Sequence, residues 1–185
     1  MNTPKKFFFT LTILIVSICS TLSAQKKQGM AETPPAIESK KTKELSNRLG
    51  FEICESDTTH MPLYETAADW LDVKYTWGGN SRKEGVDCSG FTRVLYNMLF
   101  GKEIDHNSNS LSKSVPVKIS SPEKLKPGDM VFFATSKKHS KINHVGIYLK
   151  DGFFVHASSA RKKVLVSTLF EGFYKKAWRM GGRYN

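Results

Sequence analysis

The spacing of apolar residues changes character partway along the chain. Before residue 100 they recur every three or four positions; from Met130 onward they come in short blocks or alternate. Tyr64, Ala67, Ala68 and Leu71 fall on one helical face, and Pro62 suits its first turn. Phe91, Val94, Leu95, Met98 and Leu99 make a second stripe, predicting a helix over 88–100 that stops at Gly101. Shorter helical patterns cover 43–49, closed by Gly50, and 107–113. After the turn Lys126-Pro127-Gly128-Asp129, strands are predicted over 130–134, 144–149, 153–157 and 163–167. Asp151-Gly152 makes a hairpin turn, 170–175 a helical turn, and 178–183 a closing strand. Helices first and antiparallel strands after predict an α+β fold.

The first 24 residues have the make-up of an export signal. Lys5 and Lys6 precede an apolar run over 7–18 and the small residues Ser20, Thr21, Ser23 and Ala24. Cys19 opens a second reading, a lipoprotein signal cut before the cysteine, although Ile18 stands where a small residue is usual. Both place the protein in the periplasm or cell envelope, the second with a lipid anchor to the outer membrane. Residues 25–61 read as a polar linker with one short helical segment, and 62–185 as the domain proper. The net charge of +11 suits an anionic envelope surface. Nucleic acid is excluded as a partner by export and by the lack of a base-stacking platform. A monomer is expected.

Cys19, Cys54 and Cys88 are the three cysteines. Cys54, between Ile53 and Glu55, reads as a small buried hydrophobe; a Cys54–Cys88 disulfide is the plain alternative. No CxxC pair exists, which argues against structural zinc. Cys88 lies in Asp87-Cys88-Ser89-Gly90-Phe91, where a turn runs into the second helical stripe. At a helix start the dipole and unpaired N–H groups favour thiolate, so an ion pair with a histidine is expected. His144 and His156 lie on the two strands of the predicted hairpin, both at even positions. His144 is the candidate base. His156 is the candidate orienter, expected to hold Nδ1 so that Nε2 faces sulfur. The Cys88 N–H is the natural oxyanion donor. Each feature alone is ordinary: a cysteine at a helix start is usually packed, and a histidine in an apolar strand is usually core.

Five segments in order carry a resemblance: Tyr75-x-Trp77-Gly78-Gly79, Asp87-Cys88-Ser89-Gly90-Phe91, Leu125 through Phe133, His144-Val145-Gly146-Ile147-Tyr148 and Phe154-Val155-His156-Ala157-Ser158. Together they resemble the NlpC-type, papain-like peptidoglycan endopeptidases. The resemblance implies a nucleophile-bearing helix packed on an antiparallel sheet that carries the histidines. It implies hydrolysis of stem peptides, usually between γ-linked D-glutamate and a diamino acid such as meso-diaminopimelate, with no cofactor. It makes Cys88, His144 and His156 catalytic, and puts Tyr75, Asp87 and Ser89 against substrate. Asp87 as a helix cap alone is an equal reading, and Trp77 is expected to pack under its turn. A thiol amidase or acyltransferase, or a non-catalytic wall-binding module, are the rivals. Two departures stand out. Residues 104–111 lack the family's Leu-Pro-Arg-Thr-Ser segment and following Gln, leaving His106 in that stretch, and 137–141 form a basic loop.

Overall fold

The computed structural model describes residues 35–136 and 141–184. The export signal, Cys19, the start of the linker and most of the basic loop, His139 included, lie outside the described residues.

The helix expected over 43–49 begins earlier, as α1 (Pro35–Leu49). Its buried positions, Thr42, Leu45 and Leu49, are spaced as one face, and that face meets α2 (Met61–Trp70). Arg48 clamps the pair by donating to the Ala68 carbonyl at 2.7 Å. Phe51 follows, stacked on Phe153 at 5.3 Å and edge-on to Tyr64 at 5.6 Å. Residues 45–53 therefore belong to the core, not to a linker, and the packed body starts well before Pro62. Cys54 is half-buried, not fully buried as the small-hydrophobe reading has it, and Cys88 is a free thiol, so the two are not joined.

A short hairpin of β1 (Asn80–Ser81) and β2 (Gly85–Val86) leads into α3 (Cys88–Phe100). On α3 the buried face is Phe91, Thr92, Leu95 and Tyr96; Met98, expected in the stripe, is exposed. Tyr96 takes its place because its hydroxyl donates to the Gly128 carbonyl at 2.6 Å. Next come α4 (Ser108–Ser114) and β3 (Val117–Ile119), the latter too short to leave an alternation in the sequence. The strands β4 (Met130–Phe133), β5 (His144–Lys150), β6 (Phe153–Ser158) and β7 (Lys163–Thr168), the short helix α5 (Gly172–Ala177), and β8 (Trp178–Arg183) complete the described chain.

Six strands form one antiparallel sheet in the order β3-β8-β4-β5-β6-β7. Its middle is buried on both faces, which is why β4 reads Met-Val-Phe-Phe without polar relief. Met130, Phe132, Val145, Ile147 and Val155 face the helices with Phe91 and Leu95. Val131, Phe133, Tyr148 and Phe154 face the opposite way, under Tyr174, Ala177 and Trp178. The α+β arrangement, with a helix on an antiparallel sheet, is the one the pattern predicts.

One irregularity positions the histidines. At the Asp151-Gly152 turn, Lys150 pairs with Phe153, setting even residues of β5 opposite odd residues of β6. Carried along the hairpin, that register would send His144 and His156 to opposite faces. A bulge between Tyr148 and Lys150 inserts one residue, so Tyr148 pairs with Phe154. Both histidines then share a face.

Candidate active site

A cavity of about 630 Å³ opens where the start of α3 meets the start of β5. It is lined by Cys88, His144, Tyr75, Asp87 and Ser89, with Trp77, His106 and Lys162 among the rest. His156 sits behind His144 and is fully buried. All six residues singled out from the sequence thus gather here.

The helix side is built from local bonds. Asp87 is the α3 N-cap, with extended backbone, and its Oδ1 accepts from the Gly90 N–H at 2.8 Å. Ser89 Oγ donates to the same oxygen at 3.1 Å, and His106 Nε2 lies 3.1 Å from it. Oδ2 accepts from the Gly78 N–H at 2.9 Å. One carboxylate therefore ties together the Gly78 turn, the helix start and the 104–111 segment. Gly90 permits this convergence: a Cβ there would lie 2.1 Å from the Gly79 carbonyl oxygen and 2.8 Å from His106 Nε2. Trp77 is 87% exposed at the cavity rim, not packed under its turn, because the turn faces solvent.

Cys88 is the first residue of α3, and the backbone groups of Val145, Ser89 and Cys88 itself act to lower its thiol pKa. Of these the Val145 backbone, directly after His144, has the largest effect. Burial nevertheless pushes the thiol up to about 11, outweighing these backbone groups, and the Asp87 carboxylate adds to the rise. Burial also holds His144 down to about 4, with Asp87 pulling weakly the other way. The helix start does favour thiolate, but the desolvated pocket favours neutral thiol and neutral imidazole.

On the sheet side, His144 Nε2 lies 2.9 Å from His156 Nδ1, the rings being near perpendicular. This reverses the expected orientation: Nε2 is the held nitrogen, and Nδ1 is left for the sulfur. His156 Nε2 continues to Ser167 Oγ at 3.0 Å. Burial, then the adjacent His144, lowers the His156 pKa well below its ordinary value. The two neutral rings fit one tautomer set, with Nε2–H of each donating outward along the chain to Ser167. Gly146 allows the approach, since a Cβ there would lie 2.8 Å from Phe154 Cδ2 and 3.1 Å from His156 Cβ. Phe154 stacks under His156 at 4.9 Å, and Tyr174 packs against both histidines.

Tyr75 is half-buried at the cavity, its hydroxyl pKa raised by burial and then by Cys88 and Asp87. Ser167 joins the site through His156 Nε2, and no sequence motif marks it. Ser167 alternates with core Val164 and Val166 along its strand, but only the register carries it to His156. Among the described residues no group of three His, Cys, Asp or Glu side chains could hold a metal ion, and no helix is long and apolar enough to cross a membrane.

The profile of the NlpC/P60 family matches residues 72–183. The murein DD-endopeptidase MepS/murein LD-carboxypeptidase of Escherichia coli K12 is 35% identical over 124 residues, 65% of this chain and 61% of that one. The gamma-D-glutamyl-L-lysine dipeptidyl-peptidase of Bacillus subtilis is 31% identical over 127 residues, 67% of this chain and 40% of that one. The crystal structure of an NlpC/P60 family protein from Bacillus cereus superposes with a TM-score of 0.58 at 31% identity, covering 66% of this chain and 39% of that one. The chain spans less than two thirds of the length of these relatives.

Proposed function

Because the chain belongs to the NlpC/P60 family, we propose that it is a cysteine endopeptidase acting on peptidoglycan stem peptides. The bond is the one between γ-linked D-glutamate and a diamino acid, meso-diaminopimelate in the first instance. The observation that carries the reading is one cavity lined by Cys88 at the start of α3 and His144 at the start of β5, with His144 held from behind by His156 at 2.9 Å. The relative named for a γ-D-glutamyl peptide supports the choice of bond. The one named as a DD-endopeptidase makes a D,D cross-link bond the competing target. The apolar start of the sequence and its positive charge support work in the cell envelope, with lipid anchoring through Cys19 as one route.

The chemistry follows from the two shifted pKa values. Neither charge is stable alone in the buried pocket, so the sulfur proton passes to His144 Nδ1 as Sγ attacks the amide carbonyl. The Cys88 N–H at the helix start takes the developing oxyanion. The imidazolium, held at Nε2 by His156, gives its proton to the leaving amine. A thioester on Cys88 remains. His144 then takes a proton from water, which hydrolyses the thioester and restores the thiol. Tyr75, Asp87 and Ser89 hold the peptide.

Digestion of purified muropeptides, with products mapped by mass, tests the proposal. Release of the L-Ala-γ-D-Glu fragment by wild type and not by Cys88→Ala is expected. Cleavage only at the D,D cross-link moves the bond assignment. Identical digests from both proteins overturn the reading.

A further inference from the structure

Among the described residues that line the cavity, Asp87 and Lys162 are the ones that carry full charge. Asp87 already takes hydrogen bonds from Gly78 and Gly90, is bonded by Ser89, and is met by His106. Lys162 is exposed and has no carboxylate partner among the described residues, whereas its neighbour Lys163 pairs with Asp72 at 2.6 Å. Among the described residues the cavity wall thus carries one internally engaged anion and one cation with no carboxylate partner.

The backbone makes Lys162 stranger still. Its φ is 60°, in the left-handed region that glycine, asparagine and aspartate favour. The other non-glycine residues there are Asp72 and Asp151, neither of which lines the cavity. The Lys162 carbonyl accepts from the Tyr75 N–H at 2.9 Å, which fixes this turn against the segment that carries Tyr75. A glycine would satisfy the same turn without strain. A long cationic side chain kept at a strained position on a cavity wall is a mark of a site residue.

We propose that Lys162 is a specificity residue that pairs with a free carboxylate of the stem peptide. This rests on the stem-peptide reading above and sharpens it. The protein discriminates between peptides whose glutamate or diamino acid carboxylate is free and those in which it is amidated. Pairing with an amide loses the ionic contact and leaves only a neutral hydrogen bond.

Calorimetric titration of the Cys88→Ala protein tests this without turnover. Three peptides are compared: L-Ala-γ-D-Glu-meso-diaminopimelate, its analogue amidated at the glutamate, and its analogue amidated at the diamino acid. One amidation is expected to weaken binding about fivefold, which names the carboxylate. In C88A/K162M that preference disappears, and in C88A/K162R it persists. C88A/K162G relieves the backbone strain, so it keeps its melting temperature and binds like the methionine variant. Equal binding of all three peptides by C88A, a preference that survives K162M, full preference in K162G, or no binding at all overturns the proposal. Hydrolysis by wild type is a separate readout. If it fails while the carboxylate preference holds, the catalytic reading falls and this one stands.

Discussion

The two walls of the cavity are built on different principles. On the helix side, Asp87 receives its partners in parallel: Gly78, Ser89, Gly90 and His106 each meet the same carboxylate. On the sheet side the contacts run in series, from His144 to His156 to Ser167. A parallel cluster loses one bond of several when a partner is removed. A series loses its end when any link goes. The sheet wall is therefore the fragile one, and it is the wall that orients the base.

The sharpest way to break this comparison is at His144. His144→Ala is expected to lower kcat by at least about a thousandfold with KM little changed, as measured on a defined tripeptide. His156→Ala comes next, with a loss of about a hundredfold in kcat, because the His144 ring loses its hold at Nε2. A loss confined to KM would mean that His156 does not orient the base.

Acid is expected to attack the sheet wall as well. His144 and His156 both have folded pKa values below that of free imidazole, so the unfolded chain binds more protons as pH drops. Their contribution is whole above pH about 6.5 and falls as the pH falls, for His144 through about 4. For His144 it is on the order of 3 kcal/mol. Melting curves from pH 7 to pH 4 check this, and His156→Gln should flatten the slope. Ser167→Ala is expected to cost only a few-fold in kcat, since water can replace a hydroxyl at the end of the series. Smallest is His106→Ala, which leaves Asp87 three partners. An effect near twofold, confined to KM, fits the parallel wall, and a kcat loss matching that of His156→Ala would erase the distinction.

The same division governs what the sequence reveals. The helix wall is local: Asp87, Ser89 and Gly90 lie within four residues, so a capped helix start with a thiol on it can be read directly. His144 and His156 can be picked as residue types on paired strands, but their shared face depends on the bulge before Lys150. No composition signal marks that extra residue. The nitrogen that His156 holds depends on ring placement, and the sequence expectation has it reversed. The upward push on the thiol also escapes the sequence, because it comes from burial, which opposes the helix dipole. The polar stretch before Thr42 hides the length of α1, whose described buried positions begin only at Thr42.

The central claim is that Cys88 forms a thioester with the acyl half of the stem peptide while His144 moves the proton. Denaturing mass spectrometry of enzyme quenched during turnover of L-Ala-γ-D-Glu-meso-diaminopimelate tests it most directly. The account predicts an adduct with the mass of the L-Ala-γ-D-Glu acyl group, mapping to the peptide that contains Cys88 and absent from Cys88→Ala. Turnover with no adduct on Cys88, or turnover that survives Cys88→Ala, would contradict it.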